Sequence, residues 1–456
     1  MITPHSAVSD IEQQTIKRVT RRLIPFLVLL FVVAFLDRNN VGFAALRMNA
    51  DIGISQTIYG LGAGIFFLGY FLFEVPSNIL LHRYGARVWI ARIMVTWGLI
   101  AGAMGFLQTA GHFITLRVLL GIAEAGFFPG VIYLLSLWFP SRYRARMIAS
   151  FYLGVPIAQI VGAPLSVGLM QLGDSWGFVG WRLMYIVEAV PALILGVVCY
   201  FYLTDRPADA HWLTDEQRQW LIRTLEQEER NKPLAVGAQP TKGQMIRKAL
   251  ASRQVWMLAL VYFGITSGSN AMNFFLPTVL ASFRASFGLE IGLMQNGLIT
   301  AIPYAVAAVA MIWWSRRSDR LQERHWHAGG AAMLAAVSIA VALWLNQPWI
   351  IVIGFILLAM GVYSAINVFW AVPGQVLTGV GAAAGIGLIN SIGNLSGFVG
   401  PYLTGYLFTV TGSYTPGFLV IAALVGAGGL GMVLMPRNKV SQIGTAIPAA
   451  AAGGKA

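Results

Sequence analysis

From Leu23 almost to the C-terminus, apolar stretches long enough to cross a bilayer alternate with short polar ones. A helix needs about 20 apolar residues to span a ~30 Å hydrocarbon core. Twelve stretches reach that length, approximately over 22–44, 57–81, 88–108, 112–136, 147–172, 179–203, 254–280, 290–314, 326–345, 349–373, 382–407 and 416–436. Continuous apolar runs of this length read as helices. The expectation is an all-α membrane protein of twelve transmembrane helices.

The polar interruptions carry a charge pattern. Lys17, Arg18, Arg21 and Arg22 precede the first stretch, and Arg83, Arg87 and Arg92 surround the second turn. Arg142, Arg144 and Arg146 fill the fourth turn, and Arg316, Arg317, Arg320 and Arg324 the eighth. The connection around Gln108–His112 and those after the ninth and eleventh stretches hold neither Lys nor Arg. Basic residues gather on the cytoplasmic side, so both termini are expected there. The first stretch is long and runs into a charged motif, so no cleavable signal pattern is read at the N-terminus.

Residues 204–250 divide the stretches six and six. The expected organisation is an N-terminal segment 1–21, a six-helix bundle 22–203, a linker 204–253, a second bundle 254–436 and a disordered tail 437–456. "TDEQ", Thr214 to Gln217, is a capping box opening the amphipathic helix "QWLIRTLEQEER". Lys232 to Lys242, with Pro233, Gly237 and Pro240, reads as loose linker. The halves also repeat. Arg83 in "LLHRYGAR" and Arg320 in "RRSDRLQER" lie 237 positions apart, as do Pro164 in "VGAPLSVG" and Pro401 in "VGPYLTG". Two matches at one offset indicate a duplicated six-helix unit, an organisation typical of transporters with a midplane site.

Composition fits a membrane protein. The chain is 57% hydrophobic and 11% charged, with mean hydropathy +0.69, where soluble proteins hold roughly 25% charged residues. The net charge of +13 lies mainly in the turns, which argues for orientation and against nucleic-acid binding. One cysteine, Cys199, excludes an internal disulfide framework. No metal-ligand cluster or nucleophile–base set stands in the spans, so neither a cofactor nor an enzyme is expected.

Candidate chemistry begins in "LLFVVAFLDRNNVGFAAL", where Asp37 and Arg38 interrupt an apolar run. A charge at the bilayer centre costs about 3 kcal/mol on insertion scales, so it calls for a partner or a function. At about 1.5 Å per residue, Asp37 lies ~8 Å below the outer surface, Arg117 shares that depth, and Glu124 sits near the midplane. Asp37 and Arg117 are expected to pair, either as a static brace or within a protonation relay that includes Glu124. Arg38 has no evident partner on its own helix. Its planar fork suits a substrate carboxylate, against the plainer reading of snorkelling to the surface.

The second half has no acid inside its spans. Phe274 stands where the repeat would put Asp37, and Gly361 where it would put Glu124. It offers neutral groups instead: Asn270, Asn273, Asn367, Trp370, Asn390 and Asn394. Each could bind substrate or glue helices together. Tyr70 and Gln159 are looser pocket candidates. Glu74 reads as a partner for an inner-side arginine, and Glu188 as satisfied by a neighbouring helix. The glycines of "GIAEAGFFPG" and "GIGLINSIGNLSG" read as sites of close helix approach.

With "FLDRNNVGFA", "FEVPSNILLHRYGAR", "RVLLGIAEAGFFPG" and the "SDR" of the eighth turn, the chain resembles the major facilitator superfamily over residues 20–436. More narrowly it resembles the anion:cation symporter family, with its bacterial proton-coupled tartrate-type transporters. His82 departs from the aspartate usual in the superfamily's turn motif, which puts the usual charge lock there in doubt. The resemblance implies two pseudo-symmetric six-helix bundles, and proton symport of a sugar acid, hydroxy-dicarboxylate or aromatic carboxylate by alternating access. It implies proton carriers at Asp37 and Glu124, Arg117 as the partner of Asp37, Arg38 as substrate anchor, and gating at Arg83, Asp319 and Arg320. It places a monomer, whose partners are substrate, protons and lipid, in a bacterial inner membrane. The rival readings are a proton-coupled efflux antiporter for a drug-like compound, a membrane enzyme and a channel.

Overall fold

The computed structural model describes residues 4–230, 250–373 and 382–435. The expected loose linker from Lys232 to Lys242 and the tail 437–456 lie outside them. The first half comprises α1 (Pro4–Asp51), α2 (Gln56–Tyr84), α3 (Ala86–Ala103), α4 (Ala110–Glu124), α5 (Phe127–Trp138), α6 (Ser141–Tyr152), α7 (Gly154–Ser175) and α8 (Gly180–Tyr202). After α9 (Asp215–Arg230) come α10 (Arg253–Phe287), α11 (Leu293–Leu321), α12 (His325–Leu345), α13 (Pro348–Phe369), α14 (Ala382–Thr411) and α15 (Thr415–Leu434). With α4–α5 and α6–α7 each counted as one span, eleven among the described residues are long and apolar enough to cross a membrane. Among the described residues the 30-residue α14 is the twelfth long helix.

Three boundaries differ from expectation. Helix α1 starts at Pro4 and not near residue 22, so the basic segment is a helical extension. The fourth span breaks after Glu124, where Gly126 takes φ +87°. There the Ser77 hydroxyl donates to the Ala125 carbonyl at 2.6 Å and accepts from the Trp89 indole at 3.0 Å. A Cβ on residue 126 would lie 2.3 Å from Ser77 Oγ, so glycine is required by both the backbone and the space. The fifth span breaks at Leu153, just before Pro156, which has no N–H to continue the ladder.

The amphipathic linker helix is capped as its sequence requires. Gln217 N–H donates to Thr214 Oγ1 at 3.3 Å, and Thr214 N–H donates to Gln217 Oε1 at 3.4 Å. Helices α2 and α11 are both 29 residues long and start 237 positions apart.

The two bundles meet at the end away from where α1 begins. Thr57 bonds Thr409 at 2.8 Å and Tyr59 donates to the Phe274 carbonyl at 2.7 Å. Added Cβ atoms on Gly60 and Gly405 would lie 2.3 Å from Pro401 O and 2.1 Å from Gln56 O. Toward the opposite end the contact stops. In α2, residues 56–70 are buried or half-buried throughout, whereas Phe71, Leu72, Phe73, Val75 and Pro76 are all exposed. At 3.6 residues per turn these positions span roughly 200° of the helix, so α2 is open over more than half of its circumference here and borders an opening between the bundles.

The turns at that open end are built differently from each other. Asp205, beyond α8, accepts from the Arg87 N–H at 2.8 Å and so caps α3. Its carboxylate also lies 3.8 Å from Arg87 Nε, while His82 packs edge-on against Tyr133 at 4.2 Å. Arg83 is exposed and lies 5.6 Å over the Tyr84 ring. In the other half Asp319 pairs with Arg324, and Arg320 is exposed.

Candidate functional site

A polar cluster of α1 and α4 lies against Phe66 and Tyr70 of α2, just before the exposed stretch that starts at Phe71. Helix α4 stops at Glu124, placing a carboxylate at a helix C-terminus, where the macrodipole disfavours it. Arg38 on α1 compensates by pairing directly with Glu124. The Arg38 guanidinium also lies over the rings of Phe35, Phe66 and Tyr70, at 4.9, 5.1 and 5.6 Å. These contacts hold the fork in place, yet the side chain keeps 19% exposure against 3% for Glu124. Arg38 is therefore the more exposed member of the pair.

The expected pair of Asp37 with Arg117 is not formed. Asp37 accepts from the Trp97 indole of α3 at 2.7 Å, and its Oδ1 has no partner. Arg117 donates to the Gly62 and Ala63 carbonyls of α2, at 3.1 and 3.0 Å. Equal depth does not fix the direction in which two side chains point. Gly69 and Gly121 draw α2 against α4 so closely that an added Cβ on Gly121 would lie 2.1 Å from Phe66 O. Arg117 thus meets the backbone of α2 before it can reach α1. Arg38, which has no evident partner on its own helix, pairs with Glu124 of α4. Glu74 is half-buried and, among the described residues, forms no ion pair with a turn arginine.

Glu188 is met by neighbouring helices, as expected: Asn40 donates to Oε2 at 2.9 Å and Ser166 to Oε1 at 2.6 Å. Its donors were not foreseen. Asn40 sits three residues beyond Asp37, on the same helix face, and that spacing is a signal available in the sequence.

The second half faces this cluster with neutral groups. Asn273 Oδ1 accepts from Gln159 Nε2 at 3.1 Å, from Tyr304 at 2.8 Å and from Tyr363 at 3.3 Å. Gln159 is on α7, so this bond joins the two bundles. Trp370 donates to the Tyr262 hydroxyl at 3.3 Å. Tyr152 is exposed at the break in the fifth span, and its ring lies edge-on to Phe31 and Phe128 at 5.9 and 5.6 Å. Tyr152, Tyr262, Tyr304 and Tyr363 escaped the sequence reading because a tyrosine inside an apolar span looks like packing.

Other candidates lie apart. Asn270 donates to Ser396 at 3.0 Å, joining α10 to α14, and Asn367 is exposed and donates to Ser315 at 2.8 Å. Asn390 and Asn394 are half-buried on α14. The close helix approaches expected of the α14 glycines occur at Gly393 against Tyr262 and Gly397 against Phe67.

Residues 27–401 match the family model described as Major Facilitator Superfamily. The chain belongs to the major facilitator superfamily. It is a multi-pass membrane transporter and not an enzyme. A protein of Agrobacterium vitis named "Putative tartrate transporter" is 44% identical over 437 residues, covering 96% of this chain and 94% of its own. The "Quinolone resistance transporter" of Acinetobacter baumannii is 41% identical over 419 residues, 91% of this chain and 94% of its own. Among solved structures, the inward-open xylose transporter XylE of E. coli superposes with a TM-score of 0.69 over 94% of this chain and 98% of its own. At 14% identity that likeness concerns the fold.

Proposed function

We propose that this transporter imports a small organic anion with protons, by alternating access, across a bacterial cytoplasmic membrane. The basic turns put both termini inside, so the opening faces the cytoplasm. The observation that carries the reading is the Arg38–Glu124 pair at the blind end of that opening. A substrate carboxylate can take the Arg38 fork only by displacing Glu124. A displaced carboxylate in this buried position needs a proton. Proton uptake on Glu124 from outside therefore frees Arg38 for the anion. After the bundles rock, proton loss to the cytoplasm lets Glu124 reclaim Arg38 and expel the substrate.

Asp37, held by Trp97, is a second proton carrier, and Arg117 braces α2 against α4. Tyr262, Asn273, Tyr304, Tyr363 and Trp370 supply neutral hydrogen bonds to substrate hydroxyl and carboxylate oxygens. The name of the Agrobacterium relative makes a hydroxy-dicarboxylate such as tartrate the first substrate to try. Both halves of the site come from one chain, so a monomer suffices.

A second reading, proton-coupled efflux of a drug-like compound, is favoured by the 41% identity to the quinolone resistance transporter. Proteoliposomes separate the two. Labelled tartrate should enter by counterflow, accumulate under an inward proton gradient and alkalinise the medium. Glu124→Gln should keep the exchange and lose the accumulation. Proton-driven quinolone movement without counterflow of any carboxylate in a panel would establish the second reading.

A further inference from the structure

Outside the central site, the structure holds a second concentration of cations. Lys17, Arg18, Arg21 and Arg22 fall at spacings of one and four along α1, which places them on one strip of the helix. With Tyr202 at the end of α8 and Trp212 of the following loop, they line an open cleft of about 550 Å³. Arg22 is clamped between two rings, 4.5 Å from Tyr202 and 4.9 Å from Trp212, and its Nε is buried without a partner. Arg18 donates only to the neutral Gln217, at 3.3 Å. None of the four takes part in an ion pair among the described residues. Basic residues that only set orientation need neither aromatic walls nor a shared cleft.

The apolar surface beside the cleft says what kind of anion fits. One turn along α1 from Arg22, the Phe26 ring lies 4.6 Å from Tyr202. Further toward the bilayer, Leu29 on α1 and Val198 on α8 are 46% and 39% exposed. A polyanionic cleft ligand with an apolar seam leading from it into the hydrocarbon has the shape of a phospholipid.

We infer that the cleft between α1, α8 and the loop before α9 is a binding site for an anionic phospholipid of the inner leaflet. The phosphate sits among Arg18, Arg21 and Arg22, and an acyl chain lies along the seam of Phe26, Leu29 and Val198. Basic pockets between helices on the cytoplasmic side suit such headgroups. The inference rests on the proposed orientation only for the choice of leaflet, and its test does not involve transport.

The full-length protein in detergent micelles is titrated with dioleoylphosphatidylglycerol, dioleoylphosphatidylcholine or inorganic phosphate, with thermal melting and native mass spectrometry as readouts. Phosphatidylglycerol should bind and raise the melting temperature, and phosphatidylcholine should do neither. Each arginine removed should weaken binding about fivefold, so Arg18→Gln with Arg22→Gln should weaken it about 25-fold. Trp212→Ala keeps every charge and should still weaken binding severalfold, which covers the case where the double variant fails to insert. Arg83→Gln, an exposed charge on the same side but outside the cleft, should leave phosphatidylglycerol binding unchanged. Equal binding of the two lipids, full protection by phosphate alone, or an equal loss in Arg83→Gln would overturn the site.

Discussion

Helices α2 and α11 match in length and lie 237 positions apart, yet the bundles around them bury different chemistry. The first half encloses Asp37, Arg38, Arg117, Glu124 and Glu188. The second turns Asn273, Tyr262, Tyr304, Tyr363 and Trp370 toward the same space. Packing shows why the charges are absent from the second half. At Gly361, the repeat counterpart of Glu124, a Cβ would lie 2.4 Å from the Ala331 carbonyl, so no carboxylate fits without parting α12 from α13. At Phe274, the counterpart of Asp37, the ring is buried and packs edge-on against Phe67 at 6.1 Å. On the proposed reading, one half exchanges protons. The other can recognise a ligand through hydrogen bonds that carry no charge.

That division is broken most severely at Arg38. Lysine keeps the charge but loses the bidentate fork. A charge-assisted hydrogen bond contributes about 1.5–3 kcal/mol, so Arg38→Lys should weaken tartrate binding roughly ten- to a hundredfold while the protein still inserts. Near-normal half-saturation in counterflow would remove Arg38 as the anchor.

Asp37→Asn comes next. The amide can still accept from the Trp97 indole, so the local geometry survives while the proton site is gone. Binding and exchange should persist, and accumulation against a gradient should fall to equilibrium. Wild-type accumulation would make Asp37 a structural residue and leave Glu124 as the proton site.

A smaller effect is expected across the interface. Asn273→Ala strands Gln159, Tyr304 and Tyr363, each losing a neutral hydrogen bond of about 1 kcal/mol. Half-saturation for tartrate should rise about five- to tenfold, with the proton-to-substrate ratio unchanged. A changed ratio would show that the second half takes part in coupling.

The sequence made the spans legible because bilayer thickness sets one length for every crossing helix. It also displayed the duplication and the capping box, which depend only on spacing along the chain. It did not display which helices are lateral neighbours. Depth along a helix is a one-dimensional quantity, and it assigned Arg117 to Asp37 when α2 in fact lay within reach first. The Arg38–Glu124 pair was hidden for a related reason: the break at Gly126, which ends α4 at Glu124, depends on Ser77 of a different helix. Asp205 likewise stands 118 positions from the Arg87 amide that it caps.

That long-range cap marks the mildest difference between the halves. In the eighth turn the corresponding work is local. Glu323 accepts from the Trp326 N–H at 2.9 Å and the His327 N–H at 3.2 Å, and meets the His327 ring at 3.0 Å. Partial burial alone would raise its carboxyl, but these hydrogen bonds outweigh that and hold it below the ordinary 4.5. A carboxyl depressed in the folded protein stabilises above its unfolded value, and the contribution fades as pH falls through the folded value. Glu323→Gln should therefore lower stability at pH 7 by about 1 kcal/mol, the usual cost of a lost helix cap, without altering transport. The gap between variant and wild-type melting temperatures should narrow as the pH is brought down through 4.5. A gap of the same size at every pH would mean that Glu323 contributes its shape and not its charge, and the two turns would then differ only in where their caps come from.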